Sequence, residues 1–439
     1  MDQVPDQIST SELRHRLEDP RTQLVDVRPM HAYNGWRLRG EPRGGHLPGA
    51  RALPFKWSGY LDWIEIVREK GLRPGDPVVV YGHDEGETED VASQFRRAGY
   101  EDVQVYHGLD DEWCTDEALP LDRLPRYTHL VPPEWLDGLL TDGRAPEHTG
   151  GEVVVCHAHY RNHDDYAAGH IPGAVSLETT LLESPETWNR RSPAEVRDAL
   201  LALGITADTT VVLYGRFSFP DNSDPFPGSS AGQLAAFRCA FIMLWAGVKD
   251  VKVLNGGLQS WLDAGLATST EEEVPVPAAE FGIEVPGAPE LAVDVPGARE
   301  LLASEDGNLV SVRSWPEYIG EVSGYNYIEK TGRIPGSVFG NCGSDAYHME
   351  NYRNLDHTTR EYGEVAASWR SVGVTPEKRN AFYCGTGWRG SEAFFNAWLL
   401  GWPRAAVFDG GWFEWSSDPA NPVETGEPAD QTPSAARVP

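Results

Sequence analysis

The residues of this chain whose types and spacing could carry covalent chemistry are Cys384, Gly385, Thr386, Gly387, Trp388 and Arg389. An apolar run, Ala381 to Tyr383, stops at the cysteine, and the apolar residues from Glu392 to Leu400 recur at helical spacing. This pattern predicts strand, tight loop and helix. A sulfur at such a junction faces backbone N–H groups and the positive end of a helix, which favour a thiolate or another anion on that atom. Gly385 and Gly387 are expected to adopt positive φ and to turn their amides inward. A buried packing cysteine could occupy the same strand end, but packing calls for neither alternate glycines nor an arginine. Four residues separate Cys384 from Arg389, one fewer than in the Cys-x5-Arg loop that wraps a phosphate. The shorter loop suits a single extra sulfur, carried as a persulfide on Cys384.

The elements that must position this loop occur three times. The first unit reads Leu24-Val25-Asp26-Val27-Arg28, His46-Leu47-Pro48-Gly49, Val78-Val79-Val80-Tyr81 and His107-Gly108-Leu109 before Trp113. The second reads Val153 to Cys156, His170-Ile171-Pro172-Gly173, Val211-Val212-Leu213-Tyr214 and Asn255-Gly256-Gly257-Leu258 before Trp261. The third reads Leu309 to Arg313, Arg333-Ile334-Pro335-Gly336, Ala381-Phe382-Tyr383 and Asp409-Gly410-Gly411-Trp412 before Trp415. β-Branched runs alternating with helical stretches predict an α/β fold, a parallel sheet flanked by helices in each unit. With the Cys384 loop, these repeats resemble the rhodanese sulfurtransferase family. The resemblance implies three tandem rhodanese domains, at 1–120, 129–270 and 288–418. Proline-bearing stretches at 118–128 and 268–289 read as linkers, and residues 419–439 read as a disordered tail.

At 439 residues and a net charge of −30, long-range repulsion argues against nucleic acid or an anionic membrane as partner. Only six of the 37 basic residues are Lys, which fits either adaptation to high salt or a bias toward Arg codons. Five dispersed cysteines without Cys-x-x-Cys spacing suggest neither a disulfide framework nor a zinc site, and a reducing cytoplasm is the expected location. The N-terminus lacks the pattern of a signal peptide, and no apolar run is long enough to span a membrane. The histidines, including His157, His159, His163 and His170, lack ligand spacing, so no metal is expected.

Aligning the repeats places Gly82, Gly215 and Cys384 at one position. The first two units therefore cannot form a persulfide there and read as structural or substrate-shaping domains. Cys156, on a predicted buried strand, and Cys239, in an apolar helical run, read as core; Cys114 and Cys342 have no motif around them. An insertion in the second unit, Arg216 to Gly228, either covers the site of the third unit or packs against its neighbour. Tyr33, Trp36, Trp57 and Trp63 of the first unit are further candidates for the pocket.

The third unit adds Trp315 to Ile328 and Gly343 to Tyr352, both rich in Tyr and carboxylate. Small anionic sulfur donors call for basic groups beside the cysteine; phenols, indoles and acids suit a cation instead. The Ser323-Gly324-Tyr325-Asn326-Tyr327-Ile328 segment, the Gly332-Arg333-Ile334-Pro335-Gly336 stretch, the Tyr347-His348-Met349 segment and the Cys384 loop together resemble the multidomain rhodaneses that make ergothioneine anaerobically. That resemblance implies sulfur transfer from polysulfide, through a Cys384 persulfide, to the imidazole C2 of hercynine, with no separate cofactor. It makes Tyr325 the proton-transfer group, Thr386 a loop hydroxyl beside the persulfide and Glu317 an imidazole contact. Trp388, Arg389, Gly385 and Gly387 complete the expected substrate-binding set, with Trp388 nearest the substrate. Two other readings use the same cysteine: a thiosulfate or 3-mercaptopyruvate sulfurtransferase, and a relay passing persulfide to a protein partner. The oligomeric state is not legible.

Overall fold

The computed structural model describes residues 7–216 and 232–428. Its strands fall into three sheets of five. The first holds β1 (Gln7–Ile8), β2 (Gln23–Asp26), β3 (Arg51–Ala52), β4 (Val78–Tyr81) and β5 (Val103–Tyr106). The second holds β6 (Leu130–Val131), β7 (Val153–His159), β8 (Val175–Glu178), β9 (Thr210–Tyr214) and β10 (Asp250–Leu254). The third holds β11 (Ala292–Val293), β12 (Gly307–Ser311), β13 (Val338–Phe339), β14 (Arg379–Tyr383) and β15 (Ala405–Phe408). Each sheet is parallel and repeats one order: first strand, fifth, fourth, second, third. The α/β repeat read from the sequence is thus observed three times. The fourth strand of each sheet, followed by the loop that bears Cys384 in the third copy, sits at the centre, and its continuous apolar run is buried on both faces.

The tyrosine that ends each central strand explains one part of the repeated wording. The Tyr81 hydroxyl accepts from the Leu47 N–H (3.1 Å), and the Tyr214 hydroxyl from the Ile171 N–H (2.9 Å). In the third copy Tyr383 donates to Ser337 Oγ (3.0 Å). Each bond pins the Pro-Gly turn to its central strand. In the first two copies a histidine stacks on a tyrosine nearby, His46 on Tyr33 and His170 on Tyr166, with centroids 3.6 and 3.8 Å apart. In the third copy the guanidinium of Arg333 lies 5.4 Å from the Tyr318 ring centroid instead.

The chain divides into two compact units, one ending at Tyr127 and the other beginning at Thr128. The second unit contains both the second and third sheets. Its cohesion comes from the helix Gly232–Ala246, buried along nearly its whole length, which packs against the helix Trp388–Leu399. Phe237 meets Phe395 and Phe241 meets Phe394 at centroid separations of 5.5 and 5.6 Å. A helix apolar on every side is covered on every side, here by its own sheet and by the third domain's helix.

The stretch 268–289 has little regular structure but is tied to the second domain, where Phe281 O accepts from Ala207 N–H and Leu201 O from Ala278 N–H. Residues 419–428, read as the start of a disordered tail, instead return along the third domain. Glu424 bridges Arg333, Gly426 N–H donates to Ile319 O, and buried Asn421 donates to Trp415 O. The proline, glutamate and threonine content that suggested disorder does not prevent edge pairing. Residues 429–439 lie outside the described residues. Among those described, no helix is long and apolar enough to cross a membrane.

Candidate active site

Strand β14 delivers Cys384 to the N-terminus of the helix Trp388–Leu399 with only 1% of its surface exposed. The two glycines serve different purposes. Gly387 has φ of 84°, as expected, and caps the helix. Gly385 does not adopt positive φ; it is needed for space, because a Cβ there would lie 2.3 Å from the Tyr325 ring. The ring rests directly on the loop backbone. Thr386 is buried and hydrogen-bonds the Tyr327 phenol.

Arg389 organises this corner. Its guanidinium forks onto Glu317, with Nη2 2.7 Å from Oε1 and Nη1 3.0 Å from Oε2, and both side chains are essentially fully buried. Nη2 also donates to the Tyr325 hydroxyl (2.6 Å), and Nη1 to Asp345 O (3.0 Å) and Cys342 Sγ (3.2 Å). The Gly385 N–H reaches the same phenolic oxygen at 3.2 Å. Tyr325 oxygen thus accepts twice, which leaves its own proton to point elsewhere. Burial pushes this phenol well above its ordinary pKa, with Arg389 opposing, so at neutral pH it is a proton donor.

Glu317, expected as an imidazole contact, does not line the cavity beside the sulfur. Its carboxylate lies beneath the loop, taken up by Arg389 and by the N–H and hydroxyl of Ser314 (3.0 and 2.7 Å), and Gly324 packs against it. Burial acts to raise its pKa, but the Arg389 charge and hydrogen bonds hold it below the usual carboxylate range. It positions Arg389, which in turn positions Tyr325.

The second domain completes the site. The Trp388 indole N–H donates to Glu183 at 3.0 and 3.1 Å. Glu183 pairs with Arg238 (2.8 Å), Arg238 with Asp409 (2.5 Å), and Asp409 with Arg190 (2.8 Å). This buried chain of alternating charge crosses from the second domain to the third and back. It holds the indole of Trp388, a residue that lines the cavity.

A cavity of about 530 Å³ lies beside the sulfur, lined by Cys384, Thr386, Trp388 and Arg389 together with Tyr325, Tyr327, Tyr347, Tyr160 and Trp188. The Trp188 ring stacks near Tyr327 and leans on Tyr160, both at 5.4 Å, and Tyr160 meets Trp388 edge-on at 5.8 Å. Trp188 and Arg161, both at this wall, hold φ of 60° and 52°, a backbone cost of about 1–3 kcal/mol each that surrounding contacts must offset. Arg161 lies over Tyr160 (5.1 Å), and Glu186 stands at the rim. None of the second-domain residues was legible as a site residue, since they sit on loops without motif. Cys342 also escaped notice: it is buried, burial pushes its thiol up to about 12, and it touches Arg389. Cys156 and Cys239 are core, as expected, with thiols pushed up by burial. Tyr33, Trp36, Trp57 and Trp63 are buried in the first unit. Apart from Arg216, the insertion proposed to cover the site falls outside the described residues.

A parallel sheet whose central strand presents a buried Cys-Gly-Thr-Gly-Trp-Arg loop at a helix N-terminus defines a persulfide-carrying sulfurtransferase. Residues 9–116, 158–264 and 297–418 match the rhodanese-like domain, and the chain belongs to that family. It is 38% identical over 416 residues to the thiosulfate sulfurtransferase YnjE of Escherichia coli (strain K12), covering 94% of this chain and 91% of that protein. It is 57% identical to the anaerobic ergothioneine biosynthesis enzyme from Chlorobium limicola, solved with its natural substrate trimethyl histidine. That match has a TM-score of 0.94 and covers 97% of this chain and 100% of that one. A variant of EanB, in complex with ergothioneine covalently linked with a persulfide cysteine, matches with the same identity, TM-score and coverage.

Proposed function

We propose that this protein transfers sulfane sulfur from a persulfide on Cys384 to the imidazole C2 of hercynine, giving ergothioneine, and that polysulfide reloads the cysteine. The observation that carries this reading is the cavity itself: Cys384 and the Tyr325 phenol face one space walled by Tyr160, Trp188, Tyr327, Tyr347 and Trp388. Ring faces attract a trimethylammonium by about 0.5–2 kcal/mol each, depending on desolvation. The Arg389 charge, which a thiosulfate dianion would need, is matched by Glu317. In the transfer, C2 loses its proton, a C2–S bond forms, the S–S bond breaks and Cys384 departs as thiolate. The helix N-terminus stabilises that thiolate. Tyr325 holds its hydroxyl at the loop through Gly385 and Arg389, where it can move a proton to and from the ring. Likeness to an enzyme solved with trimethyl histidine supports the same reading.

The test is to incubate the protein with polysulfide and hercynine and, separately, with thiosulfate and cyanide. Ergothioneine in the first mixture, with little thiocyanate in the second, is expected. Rapid thiocyanate from thiosulfate with hercynine unchanged would replace this reading with the ordinary sulfurtransferase that likeness to YnjE allows.

A further inference from the structure

The tyrosine that ends each central strand is in register with one residue of the neighbouring strand: Asp26 in the first domain, His157 in the second and Ser311 in the third. Two residues further on stand Arg28, His159 and Arg313. The first domain thus carries an acid and an arginine, the second two histidines, and the third the arginine alone. In the first, buried Arg28 forks onto Asp26, with Nε 2.9 Å from Oδ1 and Nη2 2.7 Å from Oδ2. Its Nη2 also donates to Gly45 O (2.6 Å), and its Nη1 lies 3.5 Å from His83 Nε2.

Arg313 repeats this pose. Its Nη2 donates to Gly332 O (2.6 Å), the carbonyl equivalent to Gly45 O, and its guanidinium lies 6.0 Å from the Tyr383 ring centroid, as Arg28 lies 5.8 Å from that of Tyr81. The other partners are not repeated: Ser311 replaces Asp26, and Gly385 replaces His83. Arg313 and Ser311 are both fully buried, and Arg313 Nε, Arg313 Nη1 and Ser311 Oγ have no hydrogen-bond partner among the described residues. The Trp412 ring, 4.8 Å away, meets the guanidinium by a cation–π contact, which satisfies none of its N–H groups. Glu317 is close enough to feel the Arg313 charge, but its oxygens are taken up by Arg389 and Ser314. Two buried arginines therefore share one carboxylate, and a buried charge left without a counter-ion is strongly unfavourable.

We propose that Arg313 and Ser311 form a buried site for a small monoanion of the halide class, seated where the first domain holds the Asp26 carboxylate. The serine side chain is two heavy atoms shorter than aspartate, which makes room for an ion of that size and excludes sulfate or phosphate. Nε and Nη2 of Arg313 give charge-assisted hydrogen bonds to it, and the Ser311 hydroxyl gives a third. One negative charge restores the balance that Asp26 gives Arg28. The ion acts as a replaceable counter-charge on the strand beside the one that delivers Cys384.

The experiment is thermal unfolding of the full chain in sodium chloride and in sodium gluconate at equal ionic strength, the organic anion being too large to enter. The wild type should melt a few degrees higher in chloride, and the gap should grow with the logarithm of chloride concentration, as for a ligand bound only by the folded state. Ser311→Asp supplies the carboxylate in place of the ion, so it should melt at least as high as wild type in gluconate, with the gap between the two salts closed. Should that variant fold poorly, wild-type crystals grown in sodium bromide decide the matter, with an anomalous peak expected within hydrogen-bond reach of Arg313 Nε and Ser311 Oγ. Equal melting of the wild type in the two salts, the same gap in Ser311→Asp, or density without anomalous signal, as a water would give, would overturn the proposal.

Discussion

Replacing Tyr325 by Phe separates the two halves of the reaction. The substitution keeps the ring on Gly385 and removes one oxygen, which accepts from Arg389 at 2.6 Å and from Gly385 N–H at 3.2 Å. Two donors lose a partner, a cost of about 1–3 kcal/mol for each group left buried and unpaired. Arg389 nevertheless keeps its fork on Glu317 and its bond to Asp345 O, so the cradle should survive. Persulfide formation on Cys384 needs no proton at carbon and should proceed within a few-fold of wild type. Transfer to hercynine should fall by roughly 10²-fold or more, the usual worth of a positioned acid or base. The assay is rapid-quench mass spectrometry that scores sulfur on the Cys384 peptide and ergothioneine in the same samples. Equal loss of both steps would refute the proton-transfer role and make Tyr325 a prop for the loop. Because burial raises the Tyr325 pKa, its proton remains in place through the neutral range. The transfer rate of the wild type should therefore show no break attributable to Tyr325 below pH about 10.

Trp188→Ala should raise the KM for hercynine by roughly 2- to 30-fold, the equivalent of one ring contact, and leave Cys384 loading unchanged; steady-state kinetics with both substrates decides this. Glu183→Gln removes the charge that faces Arg238 and leaves Asp409 as its sole carboxylate partner, so it should lower stability by up to about 3–5 kcal/mol in denaturant unfolding and raise the KM for hercynine. For Glu317, a depressed folded pKa means its stabilisation is present above its ordinary value of about 4.3 and lost as pH falls through the folded value. The melting gap between wild type and Glu317→Gln should thus be widest near neutrality and close in acid. Gly215→Cys should not create a second sulfur carrier when Cys384 is absent, because a Cβ there would lie 2.1 Å from Gly232 O; persulfide mapping of the double variant tests it.

The catalytic loop was legible because local rules fix it. An apolar run ending in a cysteine, a glycine at the helix cap and an arginine one turn later allow few backbones, and the threefold wording gave the sheet order its regularity. The role of Gly385 was not legible, since the clash that demands glycine comes from Tyr325, sixty residues away in sequence. The bonding of Glu317 was not legible for a related reason: its buried partner, Arg389, lies 72 residues away in sequence. Trp188 and Tyr160 reach the cavity, and Glu183 reaches Trp388, only because two domains fold as one unit around the helix Gly232–Ala246. Packing between domains leaves no periodic trace along the chain.

The central claim, that the sulfur of the product passes through Cys384, is tested most directly in a single turnover. The protein is loaded with isotope-labelled polysulfide, freed of excess sulfur by gel filtration, and mixed with hercynine. The account predicts that label leaves the Cys384 peptide and appears in ergothioneine in equal amount, and that Cys384→Ala acquires no label at that peptide and forms no product. Labelled ergothioneine from the Cys384→Ala protein, or loss of label from Cys384 without labelled product, would contradict it.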